Sequence, residues 1–310
     1  MGFRWVKFQV AWKYFETAPG QISWGTLDEY VNDFANRGLK VLLSVVKAPD
    51  WARPANTDFS VEGPPADPQT FVNFVAALTQ RYSGKVQAIE IWNEQNLHYE
   101  WGSETLSAAR YMDLLKRSYS AIKAVNRDMI VVSGALTPTG APAPIAIDDI
   151  VYLEQMYQNG LKSYSDAIGA HPSGFNCPPD GDWRSVEDPT ATYRGPFDNR
   201  HHSWCFRGTM EGYRNVMLKY GDGGKRIWPT EFGWASGWTG AAGYEYANDN
   251  TLEEQAQWTV RSYEMMKKWG WVGVAFLWNL NFGRTAAGSE MAQWGILGRP
   301  AYAALAGMPK

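Results

Sequence analysis

Buried-looking apolar runs alternate with helix-spaced apolar positions from one end of this chain to the other, and few folds accommodate that alternation. Val41 to Val46 (Val-Leu-Leu-Ser-Val-Val) has no polar face, so it reads as a strand covered on both sides. Further strands are expected at Trp5 to Trp12, Val86 to Trp92, Met129 to Ala135, Ala167 to His171, Ile227 to Glu231 and Val272 to Trp278. Helices fall between them. One runs from about Thr26 to Arg37 and stops at Gly38; the next opens on the Asp67 cap with Pro68 in its first turn. That second helix carries Phe71, Phe74, Val75, Leu78 and Tyr82 at helical spacing. Others span roughly Ser107 to Asn126, Asp148 to Asn159 and Gly208 to Tyr220. A Thr251/Glu254 capping box starts the helix that ends near Trp269, and a short helix near Ala301 to Ala306 closes the chain.

Strand–helix alternation with buried strands implies a parallel sheet. A doubly wound nucleotide-binding sheet would carry a glycine-rich turn after its first strand, and Ala11-Trp12-Lys13-Tyr14 is not one. Polar residues instead gather after the C-terminal ends of several strands, the layout of a (β/α)8 TIM-type barrel. No linker, repeat or charge block divides the 310 residues, so 1–310 is expected to be a single barrel domain. A formal net charge of −3 gives no reason to expect a nucleic-acid or membrane surface. No apolar run approaches the length of a membrane span, and the N-terminus lacks the order of a signal peptide.

Two strings carry the chemistry. Ile-Glu-Ile-Trp-Asn-Glu ends at Glu94, and Trp-Pro-Thr-Glu-Phe-Gly centres on Glu231, each placing a carboxylate where a buried run gives way to a loop. Cleaving a glycosidic bond needs two such groups facing each other across the sugar. Aromatic residues make up 15% of the chain, and several of its 16 tryptophans fall in loops, where indole faces would serve as platforms for sugar rings. Trp51, Trp101 and Trp234 follow strand ends and are candidate platforms, with packing as the alternative for the first two. No cofactor motif is present: there is no Walker loop, no Gly-x-Ser-x-Gly elbow and no zincin spacing. His201 and His202 read as loop residues rather than metal ligands, because adjacent side chains do not converge easily on one ion.

Trp92-Asn93-Glu94 and, three strands later, Thr230-Glu231-Phe232-Gly233 resemble the clan A retaining glycoside hydrolases. Together with the closing Phe-Leu-Trp-Asn they are most similar to family 39, with family 5 the nearest competitor. The resemblance implies that Glu231 is the nucleophile, Glu94 the acid/base, and Asn93 a partner of the sugar 2-hydroxyl. It implies that Trp278 forms a platform beneath the cleaved sugar and that Lys7 stands where relatives have an arginine. His171 takes a polar position beside the nucleophile, or is simply a structural histidine. Where relatives carry a tyrosine two residues after that histidine, this chain has Ser173, so Glu231 must be oriented from elsewhere. The acid is expected to have a raised pKa in a tryptophan-lined, partly desolvated site.

The strand count reaches seven. Either a short strand hides in a loop, or an initial strand and helix are lacking; the resemblance favours the second, since its carboxylates end strands four and seven. A seven-stranded wall has open edges, so a homo-oligomer across the gap is expected beside the oligo- or polysaccharide substrate. Cys177 and Cys205 lie within the long irregular stretch from Pro172 to Arg207. A bridge between them, rather than two free thiols, is expected, and with a polysaccharide substrate it points to an extracellular protein.

Overall fold

The computed structural model describes residues 1–186, 191, 201–237 and 240–309. The strands in chain order are β1 (Trp5–Ala11), β2 (Glu16–Ala18), β3 (Gln21–Ile22), β4 (Lys40–Val46), β5 (Ala88–Ile91), β6 (Ile130–Ser133), β7 (Ile168–Ala170) and β8 (Ile227–Pro229). A four-stranded parallel sheet runs β1-β4-β5-β6, and β7 pairs in parallel with β8. Single bridges at Val132–Ala167 and Leu136–Ala170 join the two sheets along one seam. Helices at Gly25–Asn36, Pro68–Arg81, Ala108–Val125, Asp149–Gln158, Phe206–Lys219 and Leu252–Trp269 return the chain between strands. Their starts follow the expected chemistry. Asp67 accepts from the Gln69 amide at 2.9 Å, and Thr251 and Glu254 close a reciprocal capping box.

The parallel strands curl into a concave wall. One residue from each stave (Leu42, Ala88, Val132, Ala167, Trp228 and Phe276, with Trp5 against them) meets in a common apolar layer. Two residues further along, the inward positions turn polar: Lys7, Ser44, Glu90 and Thr230 are buried there. An apolar floor under a polar storey is how a barrel interior supports chemistry at the C-terminal ends of its strands.

Two expectations change. Val272 to Trp278 runs beside β8 but forms no continuous strand. Isolated bridges hold it at Ile227–Val272 and Phe232–Leu277. The physical reason lies in β8, where Pro229 has no amide hydrogen to donate and accepts only from Phe276, at 2.8 Å. The other change concerns a short strand hidden in a loop. β2 and β3 are such strands, but they form an antiparallel ribbon of their own and add no stave. Among the described residues, no β-bridge joins β1 to the 272–278 segment. That side is spanned by side chains, with Trp5 edge-on to Trp228 (5.3 Å) and Phe276 (6.3 Å). A groove of about 700 Å³ remains outside them, lined by Trp5, Tyr263, Val272 and Met308 among others.

Cys177 and Cys205 form a disulfide across 28 residues, with Cα atoms 5.3 Å apart. Much of the span between them (187–190 and 192–200) lies outside the described residues. Removing the bridge with a Cys177→Ala/Cys205→Ala pair is expected to lower stability by about 3–4 kcal/mol, the loop-closure entropy of such a span. A lower urea midpoint would register that loss, with a somewhat steeper slope because the unbridged unfolded chain exposes more surface.

Candidate active site

β5 delivers Glu94 through a backbone that leaves the sheet abruptly. Trp92 (φ 73°) and Glu94 (φ 49°) both take left-handed conformations, which cost a non-glycine residue on the order of 1–3 kcal/mol. Surrounding bonds impose them. The Trp92 amide donates to the Val45 carbonyl (3.0 Å), the Glu94 amide to that of Ala135 (2.8 Å), and the Gln95 side chain to that of Gly134 (2.8 Å). Glu231 follows β8 directly, and the Thr230 amide is fixed to the Ala170 carbonyl at 3.0 Å. Gly233 then has to be glycine. At φ 155° its missing Cβ would sit 2.7 Å from the Trp278 carbonyl oxygen.

These strand ends assemble one charge network. Lys7 Nζ donates to Glu231 Oε1 at 2.7 Å and lies 3.4 Å from Glu90 Oε2. Glu90 has no exposure; its other oxygen accepts from the Thr230 hydroxyl at 2.7 Å and the Ala135 amide at 3.3 Å. On the other side, His171 places Nδ1 2.9 Å from Glu94 Oε1 and Nε2 3.9 Å from Glu231 Oε1. A single imidazole therefore separates the two carboxylates. Asn93, next to Glu94, accepts a long bond from Gln9 at 3.4 Å.

Burial and charge act against each other here. Burial disfavours a charged Lys7, yet the adjacent Glu231 and Glu90 hold its pKa above the ordinary value. His171 behaves alike: burial lowers its pKa, and the charge of Glu231 with the bond to Glu94 raises it further. For Glu94 burial favours the neutral acid. The hydrogen bond and charge of His171 outweigh it, and the net shift is downward. This corrects the expectation of a raised pKa at Glu94: a histidine fills the desolvated space beside it, and the proton of the pair rests on the imidazole.

The expected platforms divide. Trp278 is half-buried at the end of its segment, edge-on to Phe282 at 5.2 Å, with its amide bonded to the Phe232 carbonyl beside Glu231. Trp51 is half-buried, donates to the Glu16 carbonyl at 2.8 Å and packs on Trp12, apart from the carboxylate network. Trp101 and Trp234 are corrected: each is 1% exposed and offers no face to a ligand. Trp101 packs between Trp92 and Tyr111. Trp234 donates to the Cys177 carbonyl at 2.8 Å and lies over Gly174, where even a methyl group would collide. Their loops fold inward as part of the core.

Three carboxylate-network residues escaped the sequence reading: Glu90, Thr230 and Glu100. The signal for Glu90 was a charge inside an otherwise apolar strand. Glu100 is pushed up to about 8 by burial and the charge of Glu94, with Lys47 only partly offsetting them. Away from this network, Asp148, His201 and His202 bring three ligand-type side chains together. The adjacent histidines thus do converge, contrary to the sequence expectation.

Carboxylates gather at the C-terminal ends of the parallel strands, above an apolar floor, the end at which barrel folds place their reactive groups. Comparison with solved structures agrees on the fold. The chain is similar to a family 39 glycoside hydrolase from the gut symbiont Bacteroides cellulosilyticus (22% identity, TM-score 0.69, covering 98% of this chain and 58% of that one). It is also similar to the family 39 enzyme of Xanthomonas axonopodis pv. citri (18%, TM-score 0.64, 98% and 59%). Endoglucanase Cel5A from Thermotoga maritima follows (16%, TM-score 0.58, 94% and 85%). The chain spans a little over half the length of the family 39 structures. No family model and no curated protein sequence matches it.

Proposed function

We propose that this chain is a retaining glycoside hydrolase acting on β-linked oligo- or polysaccharides, without a cofactor, on a single (β/α)8-type barrel domain. The observation that carries this reading is the placement of Glu94 and Glu231 on either side of His171. Glu231, held in place by Lys7, attacks the anomeric carbon and forms a glycosyl-enzyme; Glu94 protonates the departing oxygen and later activates water. Asn93 binds the sugar 2-hydroxyl and Trp278 underlies the ring. Structural neighbours that include a β-xylosidase and a β-1,4-mannanase support a β-linked substrate. The disulfide supports an extracellular location.

The proton that Glu94 must donate is stored on His171, 2.9 Å away. As Glu231 loses its charge to the new bond, the interaction that most favours imidazolium disappears, and the proton moves to Glu94 when it is needed. The alkaline limb of kcat/KM therefore reports loss of this proton, at a pH above the ordinary histidine value of 6.5. In a His171→Asn variant the proton must reside on Glu94 itself. The limb is expected to move acidward by about one pH unit or more, and an unmoved limb would remove His171 from the proton path.

The function is tested by incubating the protein with aryl β-glycosides and a panel of β-glycans while following the first-formed anomer by proton NMR. Release of the β-anomer is expected. Initial α-anomer would mean inversion, and saturable binding without release would make the chain a glycan-binding protein.

A further inference from the structure

His201 and His202 lie outside the carboxylate network, and their surroundings have a different logic. Asp148 caps the helix Asp149–Gln158. Its Oδ1 accepts from the Val151 amide at 2.9 Å, leaving Oδ2 for other partners. Two histidine nitrogens meet that second oxygen, Nε2 of His201 at 3.2 Å and Nε2 of His202 at 2.8 Å. Asp149 Oδ1 stands 3.7 Å from the same His202 nitrogen.

The donor atoms converge to spacings of 2.8–3.7 Å, from which small side-chain shifts reach a coordination shell. Donors bound at about 2.0–2.2 Å to one ion stand roughly 3–3.5 Å from each other. Hydrogen bonding alone serves the cluster poorly. The Asp149 side chain has no exposure, and its Oδ2 meets no hydrogen-bond partner; Nδ1 of His202 is equally buried and unmatched. His201 is better held, its Nδ1 lying 2.7 Å from the Ser203 hydroxyl, the outer contact that orients a metal-binding imidazole. Two imidazoles with carboxylate oxygen suit a borderline transition cation rather than magnesium or calcium.

We propose that Asp148, His201 and His202, with Asp149 completing the set, form a structural Zn²⁺ site. The ion would fasten the segment entering helix Phe206–Lys219 to the N-terminus of helix Asp149–Gln158. Because Oδ1 of Asp148 alone serves the helix cap, loading leaves that cap intact. The segment is already tied at Cys205 to Cys177, so metal and disulfide would brace it at two points within five residues.

The test uses the full chain, stripped of metal with EDTA and titrated with Zn²⁺ by calorimetry. One equivalent is expected to bind, and the unfolding midpoint to rise on the order of 5 °C at a hundredfold excess over Kd. Co²⁺ in place of Zn²⁺ is expected to give visible d–d absorption. His202→Gln and His201→Gln should each abolish both signals while keeping a cooperative unfolding transition. His201 is 33% exposed, so its variant carries the test should the other fail to fold. No saturable Zn²⁺ binding by the parent chain, or binding unchanged in the His201→Gln variant, would overturn the proposal.

Discussion

Glu231→Ala is expected to lower kcat/KM on an activated aryl β-glycoside by about 10⁴-fold or more while the protein remains folded. The two halves of that expectation have separate causes. Activity falls because, on the proposed mechanism, the variant lacks the carboxylate that forms the glycosyl-enzyme. Folding survives because Lys7, the partner left behind, keeps Glu90 at 3.4 Å. The truncation also opens room for a small anion beside Lys7. Azide should therefore restore turnover of the variant and give a glycosyl azide of configuration opposite to the substrate. Near-normal activity without azide would refute the nucleophile assignment.

Lys7→Met is the second large effect, and it acts on stability as well as rate. In the parent chain the ammonium is shared between two carboxylates in a site where its own side chain is 6% exposed. Removing it leaves Glu90 and Glu231 facing each other without a counter-charge, and breaking a buried pair from one side costs about 3–5 kcal/mol. The sign with pH is definite. Because the folded-state pKa of Lys7 lies above its ordinary 10.5, its contribution is fully present at neutral pH and is lost only as pH rises through that higher value. The variant's deficit should thus be present in full at neutral pH and shrink only under strongly alkaline conditions, where the parent loses the ammonium as well. kcat/KM should fall by roughly 10²–10³-fold as Glu231 loses the hydrogen-bond donor that orients it. A neutral-pH urea midpoint equal to the parent's would show that the pair carries no stability.

How much of this could be read beforehand depended on whether the cause was local. Glu94 and Glu231 stood out because each closes an apolar run, and a carboxylate at a strand end is visible in a few consecutive residues. Glu90 did not. Its meaning comes from Lys7, Thr230 and Ala135, which approach it only after the wall has curled, so the strand around it passed as apolar. Trp101 and Trp234 were misread for the same kind of reason: an indole in a loop looks available until the loop packs. The direction of the Glu94 shift likewise hinged on a histidine 77 residues away. In the Val272–Trp278 segment the strand's path was legible, but its regularity was set by a proline on the neighbouring stave.

The seam between the two sheets has a consequence for how this molecule fails. Lys7, Glu90, Asn93 and Glu94 belong to one side of it, while His171, Thr230 and Glu231 belong to the other. Backbone bridges across it are single, at Val132–Ala167 and Leu136–Ala170. The Lys7–Glu231, His171–Glu94 and Thr230–Glu90 contacts also join residues of the two sheets. The candidate catalytic groups are thus also links across the joint. A sub-global opening there would separate Glu231 from Glu94 while most helices stay formed. Any activity that needs both carboxylates is therefore tied to the stability of this joint as well as to that of the whole chain.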